Sequence, residues 1–210
     1  MYAAVTTHPD VTFTFSTLSQ FLKNPGLIHW EAVKCILHYL SGTKAHALTY
    51  GNEHHNLHSY MDADGASQDH RHAISGYAFL IDGATISWAS HKQELITLST
   101  AKAEYVAATH AVKECIWLHR LTSQLFNNGT SSTTLYCDNQ AAIHLVTEDN
   151  YHACTKHIDI QYHFICQMIT DRAINIIYCP TQDMTMDILT KALPKHRVVI
   201  HLQNLGICHT

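Results

Sequence analysis

The 210-residue sequence has no long hydrophobic run, no closely spaced cysteine pair and little positive charge. A helix that spans a bilayer needs about 20 consecutive, mainly apolar residues, and no run here approaches that length. The N-terminus, MYAAVTTHPD, lacks the basic region and apolar stretch of a signal peptide. We therefore expect an intracellular protein, cytoplasmic or nuclear, that is not secreted and has no membrane partner.

The cysteine and charge counts restrict the class further. Seven scattered cysteines indicate reduced thiols rather than a disulfide framework or a zinc site. With 46% apolar and 14% charged residues, the chain can bury the core of one large or two small domains. Lys and Arg total 13 against 17 acidic residues, and the net charge of −4 is unusual for a protein that follows a phosphate backbone. Histidine, at 19 residues, is very abundant.

The hydrophobic pattern divides the chain into two regions. Residues 9–42 have a helical pattern, interrupted at Asn24-Pro25-Gly26, with Trp30 and Leu40 on one apolar stripe. The rest alternates strands with helices, and Asp82-Gly83 is a strong hairpin signal between two apolar runs. We predict strands at 57–62, 73–81, 84–88, 133–137 and 174–179, and helices at 99–121, 141–146, 157–169, 184–193 and after Pro194. This order predicts an α/β sheet with helices packed on it.

Four carboxylates lie within or at the end of apolar runs: Asp62 in LHSYMDADG, Glu104 in LSTAKAEYVAA, Asp138 in TTLYCDNQAA and Asp187 in TQDMTMDILTKAL. A buried, ionised carboxylate is costly without a compensating cation. Singly, each has an ordinary explanation: Asp62 could end a strand, Asp138 could cap a helix, and Asp187 could be a first-turn helix acid. Together, on four different elements, they indicate one polar centre that holds metal.

Several segments carry a resemblance to a known family. DADGA, AISGYAFLIDGATISW, KQELITLSTAKAEYVAA, LYCDNQAAI and MDILTKALP resemble the ribonuclease H domain of copia-type LTR retrotransposon polyproteins. The stretch from Thr7 to Thr43 is similar to the segment that connects this domain to the reverse transcriptase. The resemblance implies a ribonuclease H-like mixed β-sheet flanked by helices and preceded by a short helical connection segment. It also implies that residues 1–52 are a remnant of that connection, that 53–210 form the ribonuclease H-like domain, and that the chain is a C-terminal fragment of a pol product.

The same resemblance assigns roles to the acidic residues. Asp62, Glu104, Asp138 and Asp187 would be catalytic and would hold two Mg²⁺ ions, for which Mn²⁺ can substitute, with Asp62 as the bridging ligand. Two hard cations about 3.5–4 Å apart, bound through oxygen, suit the hydrolysis of a phosphodiester. Ser99, Asn139 and Gln140 could contact substrate, since the family places these segments beside the hybrid, although helix capping is the favoured use of the three residues. The implied partners are an RNA–DNA hybrid and the reverse transcriptase portion of the same polyprotein.

The sequence also departs from the family pattern. Lys102 stands where the family usually has a second acid. Seven positions at which the family resemblance indicates arginine hold other residues: His8, Cys35, His38, His119, Cys154, Gln161 and Cys166. A single C→T or G→A change in a CGN arginine codon produces a codon for each of these residues. We expect these changes to reflect cytosine deamination. Seven arginines there would raise the net charge from −4 to about +3, the sign expected for a hybrid-binding protein.

Three functions fit the sequence. The favoured one is an endonuclease that cuts the RNA strand of RNA–DNA hybrids. The second is a weak or inactive retroelement relic that binds nucleic acid or protein, which the negative charge and the arginine losses favour. The third, a metal-dependent DNA nuclease of the same fold, is disfavoured because the order of the DAD, AEY and YCDN motifs follows the ribonuclease pattern.

Overall fold

The structure is a computed structural model of the chain, and it describes residues 1–51, 56–64, 72–94, 100–126, 132–147, 164–171 and 173–209. In these ranges, no helix combines the length and the apolar character needed to span a membrane. The α-helices are α1 (Tyr2–Thr6), α2 (Thr12–Ser19), α3 (Leu27–Gly42), α4 (Thr100–Phe126), α5 (Gln140–Thr147), α6 (164–170), α7 (Asp187–Thr190) and α8 (Lys195–Asn204). Two short 3₁₀ helices span Pro9–Val11 and Thr181–Asp183.

The described residues include seven strands in two sheets. They are β1 (His46–Leu48), β2 (His58–Asp64), β3 (Ile74–Ile81), β4 (Ala84–Lys92), β5 (Thr133–Cys137), β6 (Ile174–Tyr178) and β7 (Ile207–His209). The main sheet has the order β4-β3-β2-β5-β6. The pairs β2/β3 and β3/β4 are antiparallel, whereas β2/β5 and β5/β6 are parallel. The sheet is therefore mixed, and its parallel half places the carboxyl ends of β2 and β5 side by side.

Alternation along β3 separates the two layers of the core. Phe79 points into a cluster with Tyr105 and Val112 of α4, while Ala78 and Leu80 face the other cluster, which α7 and α8 cover. This two-residue period is that of a strand buried on both faces. The hairpin turn between β3 and β4 has positive φ at Asp82 (52°) and at Gly83 (85°), as a turn of the primed type requires. The Asp82-Gly83 prediction is confirmed.

The N-terminal region packs against the main sheet and α7. The indole Nε1 of Trp88 on β4 donates to the carbonyl of Ala4 (2.8 Å) and to Oγ1 of Thr12 (3.1 Å). Strand β1 pairs with β7 near the end of the described chain, and the Tyr50 hydroxyl donates to the carbonyl of Thr85 (2.7 Å). These contacts join residues 1–51 to the rest of the fold. The boundary at 52/53 stays a prediction.

Most predicted elements are present in the described residues, with three differences. Residues 157–163 of the helix predicted at 157–169 lie outside those residues. Helix α1 and the pair β1/β7 were not predicted, because five- and three-residue elements carry too little periodicity to be recognised. The helix predicted at 184–193 is only the four residues of α7, since Lys191 has extended dihedrals (φ −133°, ψ 152°) and Pro194 disfavours helical geometry in the residue before it. The predicted stripe of α3 exists but is not buried: Trp30 is 58% exposed.

Candidate metal centre

Three of the four singled-out acids meet where β2 and β5 end. Asp62 lies near the end of β2, Asp138 follows β5 directly, and Glu104 projects from α4. One carboxylate oxygen from each lies within 4.8 Å of the others. Asp62 and Glu104 are buried and Asp138 is half-buried. The carboxyl edge of parallel strands is a frequent place for a ligand site in an α/β fold.

Each carboxylate accepts a hydrogen bond from another element of the fold. The backbone N–H of Ala63 donates to Glu104 Oε1 (3.0 Å), and the Thr181 hydroxyl donates to Asp138 Oδ2 (3.0 Å). The Thr190 hydroxyl donates to Asp62 Oδ2. Glu104 Oε2 is buried and has no hydrogen-bond partner among the described residues. A buried acceptor without a partner is costly, so this oxygen marks the place where a cation fits.

Burial sets the protonation of the two innermost acids. It raises the pKa of Glu104 to about 9, with the nearby Asp62 carboxylate as the next cause. It also raises the pKa of Asp62, although Lys191 and the Thr190 hydroxyl oppose the rise. Glu104 therefore favours its neutral form at neutral pH, and a bound cation would stabilise the ionised forms of both carboxyls. Three hard oxygen ligands on rigid elements suit a divalent ion such as Mg²⁺.

Asp187 lies beside this triad rather than within it. It is the first residue of α7 and is buried. Its Oδ1 is 2.7 Å from Lys191 Nζ, and its Oδ2 is 3.3 Å from Arg197 Nη2. Lys191 Nζ also lies 3.3 Å from Asp62 Oδ2. Asp187 is thus linked to Asp62 through the ammonium group, and its role as a fourth metal ligand stays a prediction.

The triad opens onto a cleft of about 590 Å³ that Asn139, Gln140 and Lys191 also line. Asn139 Oδ1 accepts from the backbone N–H of Ala142 (3.0 Å), so this side chain caps α5, as the favoured interpretation predicted. Gln140 is exposed at the mouth. Ser99, the third predicted substrate contact, lies outside the described residues.

Sequence reasoning missed the residues that position Asp62. Gly76 on β3 pairs directly with Asp62 of β2, and a Cβ at Gly76 would lie 2.7 Å from Thr190 Cγ2. Without that side chain, α7 approaches closely enough for Thr190 to reach Asp62. An isolated glycine inside an apolar strand was the available signal for such an approach. Lys191 was recognisable from its i, i+4 spacing to Asp187.

The strand order, the helices on both faces and the acidic triad define a ribonuclease H-like α/β protein. No family model matches the sequence. Its relatives include the retrovirus-related Pol polyprotein from transposon TNT 1-94 of Nicotiana tabacum, 42% identical over 208 residues, which are 99% of this chain and 16% of the relative. The corresponding polyprotein from transposon RE1 of Arabidopsis thaliana is 36% identical over 204 residues, covering 96% of this chain and 14% of the relative. The homologues of this chain are thus retrovirus-related Pol polyproteins of copia-type transposons, as the sequence motifs predicted, and the chain spans about a sixth of their length.

A solved structure of LC11-RNase H1 in complex with an RNA/DNA hybrid is also similar. It has 13% identity and a TM-score of 0.47, with 64% of this chain and 94% of that chain covered. The fold assignment here depends on the strand order and on the sequence relatives.

Proposed function

We propose that this chain is a metal-dependent endonuclease of the ribonuclease H type that hydrolyses the RNA strand of RNA–DNA hybrids. The observation that carries the proposal is the cluster of Asp62, Glu104 and Asp138. One buried oxygen of Glu104 in this cluster has no hydrogen-bond partner in the part of the chain that the structure describes. Similarity to segments of the retrovirus-related Pol polyproteins from transposons supports the substrate class.

The residues fit Mg²⁺, with Mn²⁺ as a substitute. Asp62, Glu104 and Asp138 would hold one ion, and Asp62 with Asp187 would hold a second during hydrolysis. Such ions, when bound, activate water and stabilise the charge that develops on a phosphodiester. The protein keeps the three carboxylates of the triad in place through Ala63 N–H, Thr181 and Thr190, so these ligands are preorganised.

Substrate would lie across the open cleft. We assign Gln140, which is exposed at the mouth, and the amide nitrogen of Asn139 to contacts with the backbone of the hybrid, since the Asn139 oxygen already caps α5. Ser99 stays a predicted contact. Contacts to 2′-hydroxyl groups would distinguish the RNA strand from DNA.

The test is cleavage of a labelled RNA–DNA hybrid by the purified chain, with Mg²⁺ and then with Mn²⁺. Asp138→Asn removes a ligand charge with almost no change of shape, and we expect it to abolish the RNA products. Asp171→Asn, at an exposed position after α6, is the matched control and should cleave as the original chain does. Matched DNA and RNA duplexes should stay intact. Absence of products from a folded protein with either metal would reject the proposal.

A second candidate, a relic that binds nucleic acid without cutting it, is favoured by the net charge of −4. Among the described positions that resemble family arginines, none lines the acidic cleft. Their replacement therefore leaves the triad intact, and the effect that we expect is on the affinity for the backbone. Hybrid binding without products, in the same assay, would establish this candidate.

We also propose that the helical region 1–52, a remnant of the connection segment, contacts the reverse transcriptase portion of a Pol polyprotein. A groove of α1–α3 presents apolar side chains that are more than half exposed, namely Leu22, Leu27, Trp30 and Leu37. Exposed apolar patches of this kind mark interaction surfaces. The expected result is co-elution with a purified polymerase segment that Leu27→Ser with Trp30→Ser prevents. Trp117→Ser, which removes a similarly exposed indole from α4, should leave it unchanged; equal elution of all variants would contradict the proposal.

A further inference from the structure

Lys191 lies between two acids of the centre. Its Nζ is 2.7 Å from Asp187 Oδ1 and 3.3 Å from Asp62 Oδ2. It follows α7 directly and lines the same cleft as the triad. The space that these two carboxylates share therefore holds an ammonium group.

The contacts divide the four acids into two sets. On one side, each carboxylate oxygen of Asp187 has a cation beside it, Lys191 at Oδ1 and Arg197 at Oδ2. Asp62 Oδ2 accepts a hydrogen bond from Thr190 and forms an ion pair with Lys191. On the other side, the triad oxygens lie within 4.8 Å of one another, and no described residue donates a hydrogen bond to Glu104 Oε2. A divalent ion has an evident place on the triad side, whereas the Asp187 side is already neutralised.

We propose that Lys191 is a positioning residue that occupies the second cation position, so that the chain without nucleic acid holds one divalent ion at Asp62, Glu104 and Asp138. The proposal rests on the metal centre of the proposed function. A second ion can bind between Asp62 and Asp187 only after the ammonium group of Lys191 has moved away.

Charge balance supports this arrangement. The four carboxylates carry four negative charges when ionised, and Lys191 with Arg197 offsets two of them. One divalent ion offsets the other two. A second divalent ion would leave an excess of positive charge unless Lys191 withdrew or an anion arrived. A phosphodiester backbone supplies that negative charge, which couples the second ion to the presence of nucleic acid.

The side chain of Lys191 is able to withdraw. It is 32% exposed, so a path to solvent exists. An ammonium group on a flexible four-carbon stem is strongly hydrated and moves more easily than a bidentate guanidinium. Thr190, by contrast, has no exposed surface and remains on Asp62.

The experiment counts Mn²⁺ ions bound per chain, by electron paramagnetic resonance and calorimetry, without nucleic acid. We expect one ion for the original chain and two for Lys191→Met. Lys191→Arg keeps the charge and should bind one ion. Lys195→Met removes the same charge at an exposed position four residues away and should also bind one. The second ion of Lys191→Met should bind at least ten-fold more tightly than any second ion of the original chain.

Two results would overturn the inference: two ions of similar affinity in the original chain, or unchanged Mn²⁺ binding in Lys191→Met. If Lys191→Met does not fold, the ion count of the original chain and of Lys191→Arg decides, because both must bind one ion. The ion count does not depend on cleavage. A chain that binds Mn²⁺ as described but leaves hybrids intact would reject the proposed function alone.

Discussion

Glu104 is an acidic residue on a helix face that otherwise buries small apolar side chains. Ala103 and Ala107 beside it are fully or almost fully buried. The helix thus brings one ionisable group to the end of β2 and surrounds it with apolar side chains that cannot solvate it. For this reason the free energy of unfolding of the metal-free protein should depend on the proton of this side chain.

The pKa of Glu104 is about 9 in the fold against an ordinary value of 4.5. Between these values the folded chain keeps a proton that the unfolded chain has lost, so stability falls as pH rises, by up to about 1.4 kcal/mol per pH unit. Glu104→Gln, which is always neutral, should remove this part of the decline. Urea unfolding in chelator from pH 5.5 to 8.5 measures it. Parallel curves for both proteins would refute the prediction.

Thr190 is a second residue with a specific contact at the centre, because its hydroxyl donates a hydrogen bond to Asp62 Oδ2. Thr190→Val keeps the volume and removes the donor. We expect a loss of about 1–3 kcal/mol of unfolding free energy, because a buried carboxyl loses its hydrogen bond. Thr190→Ser retains the hydroxyl and should lose less. Chemical denaturation compares the three proteins, and an equal loss for both variants would assign the effect to packing.

At the scale of elements, the approach of α7 to β3 makes the centre possible. A Cβ at Gly76 would lie 2.7 Å from Thr190 Cγ2 and 3.0 Å from Leu189 Cβ. Gly76→Ala should therefore push α7 from the sheet and cost about 1–3 kcal/mol, as overpacking of a core does. Gly42→Ala, with nothing within 4 Å of the added methyl, is the control and should be neutral or stabilising. Thermal unfolding measures the stability of both variants. Equal melting temperatures for the two would contradict the prediction.

The sequence was sufficient for elements with a strong pattern and insufficient for the contacts between them. The strand Thr133–Cys137 has its predicted bounds, because apolar residues alternate up to a polar stop at Asp138. The three acids of the triad were singled out by charge within apolar runs. The pairing of Gly76 with Asp62 and the position of Lys191 between two carboxylates depend on how α7 docks. No local pattern encodes that docking, since the partners are far apart in sequence.

At the scale of the whole molecule, the N-terminal region is bound to the sheet by specific hydrogen bonds. Trp88 Nε1 has two acceptors there, Ala4 and Thr12. Trp88→Phe keeps most of the ring and removes the donor, so we expect faster amide hydrogen exchange in α1 and α2 and a loss of about 1–2 kcal/mol. Trp30→Phe, at an exposed indole, should change neither. Unaltered exchange in Trp88→Phe would mean that the region is held by other contacts.

The net charge is a property of the whole surface and sets the salt dependence of binding. Arginine at the described positions that resemble family arginines, namely His8, Cys35, His38, His119 and Cys166, would bring −4 to about +1. Hybrid affinity should then rise at low salt and fall more steeply with log salt, by up to about one unit of slope for each phosphate contacted. Glutamine at the same positions is the neutral control. An unchanged slope in fluorescence anisotropy titrations would show that these positions do not face the hybrid.

The bond between Thr190 and Asp62 joins residues 128 positions apart, and this separation has a consequence for synthesis of the chain. At about 5–20 residues per second, Asp62 leaves the ribosome roughly 6–25 s before the threonine that will hold it. Strands β3 and β4 emerge early in that interval and can pair with β2, while the carboxylate at the end of β2 stays in water. The acidic centre is therefore completed late in the synthesis of the chain, after most of its supporting sheet has emerged from the ribosome.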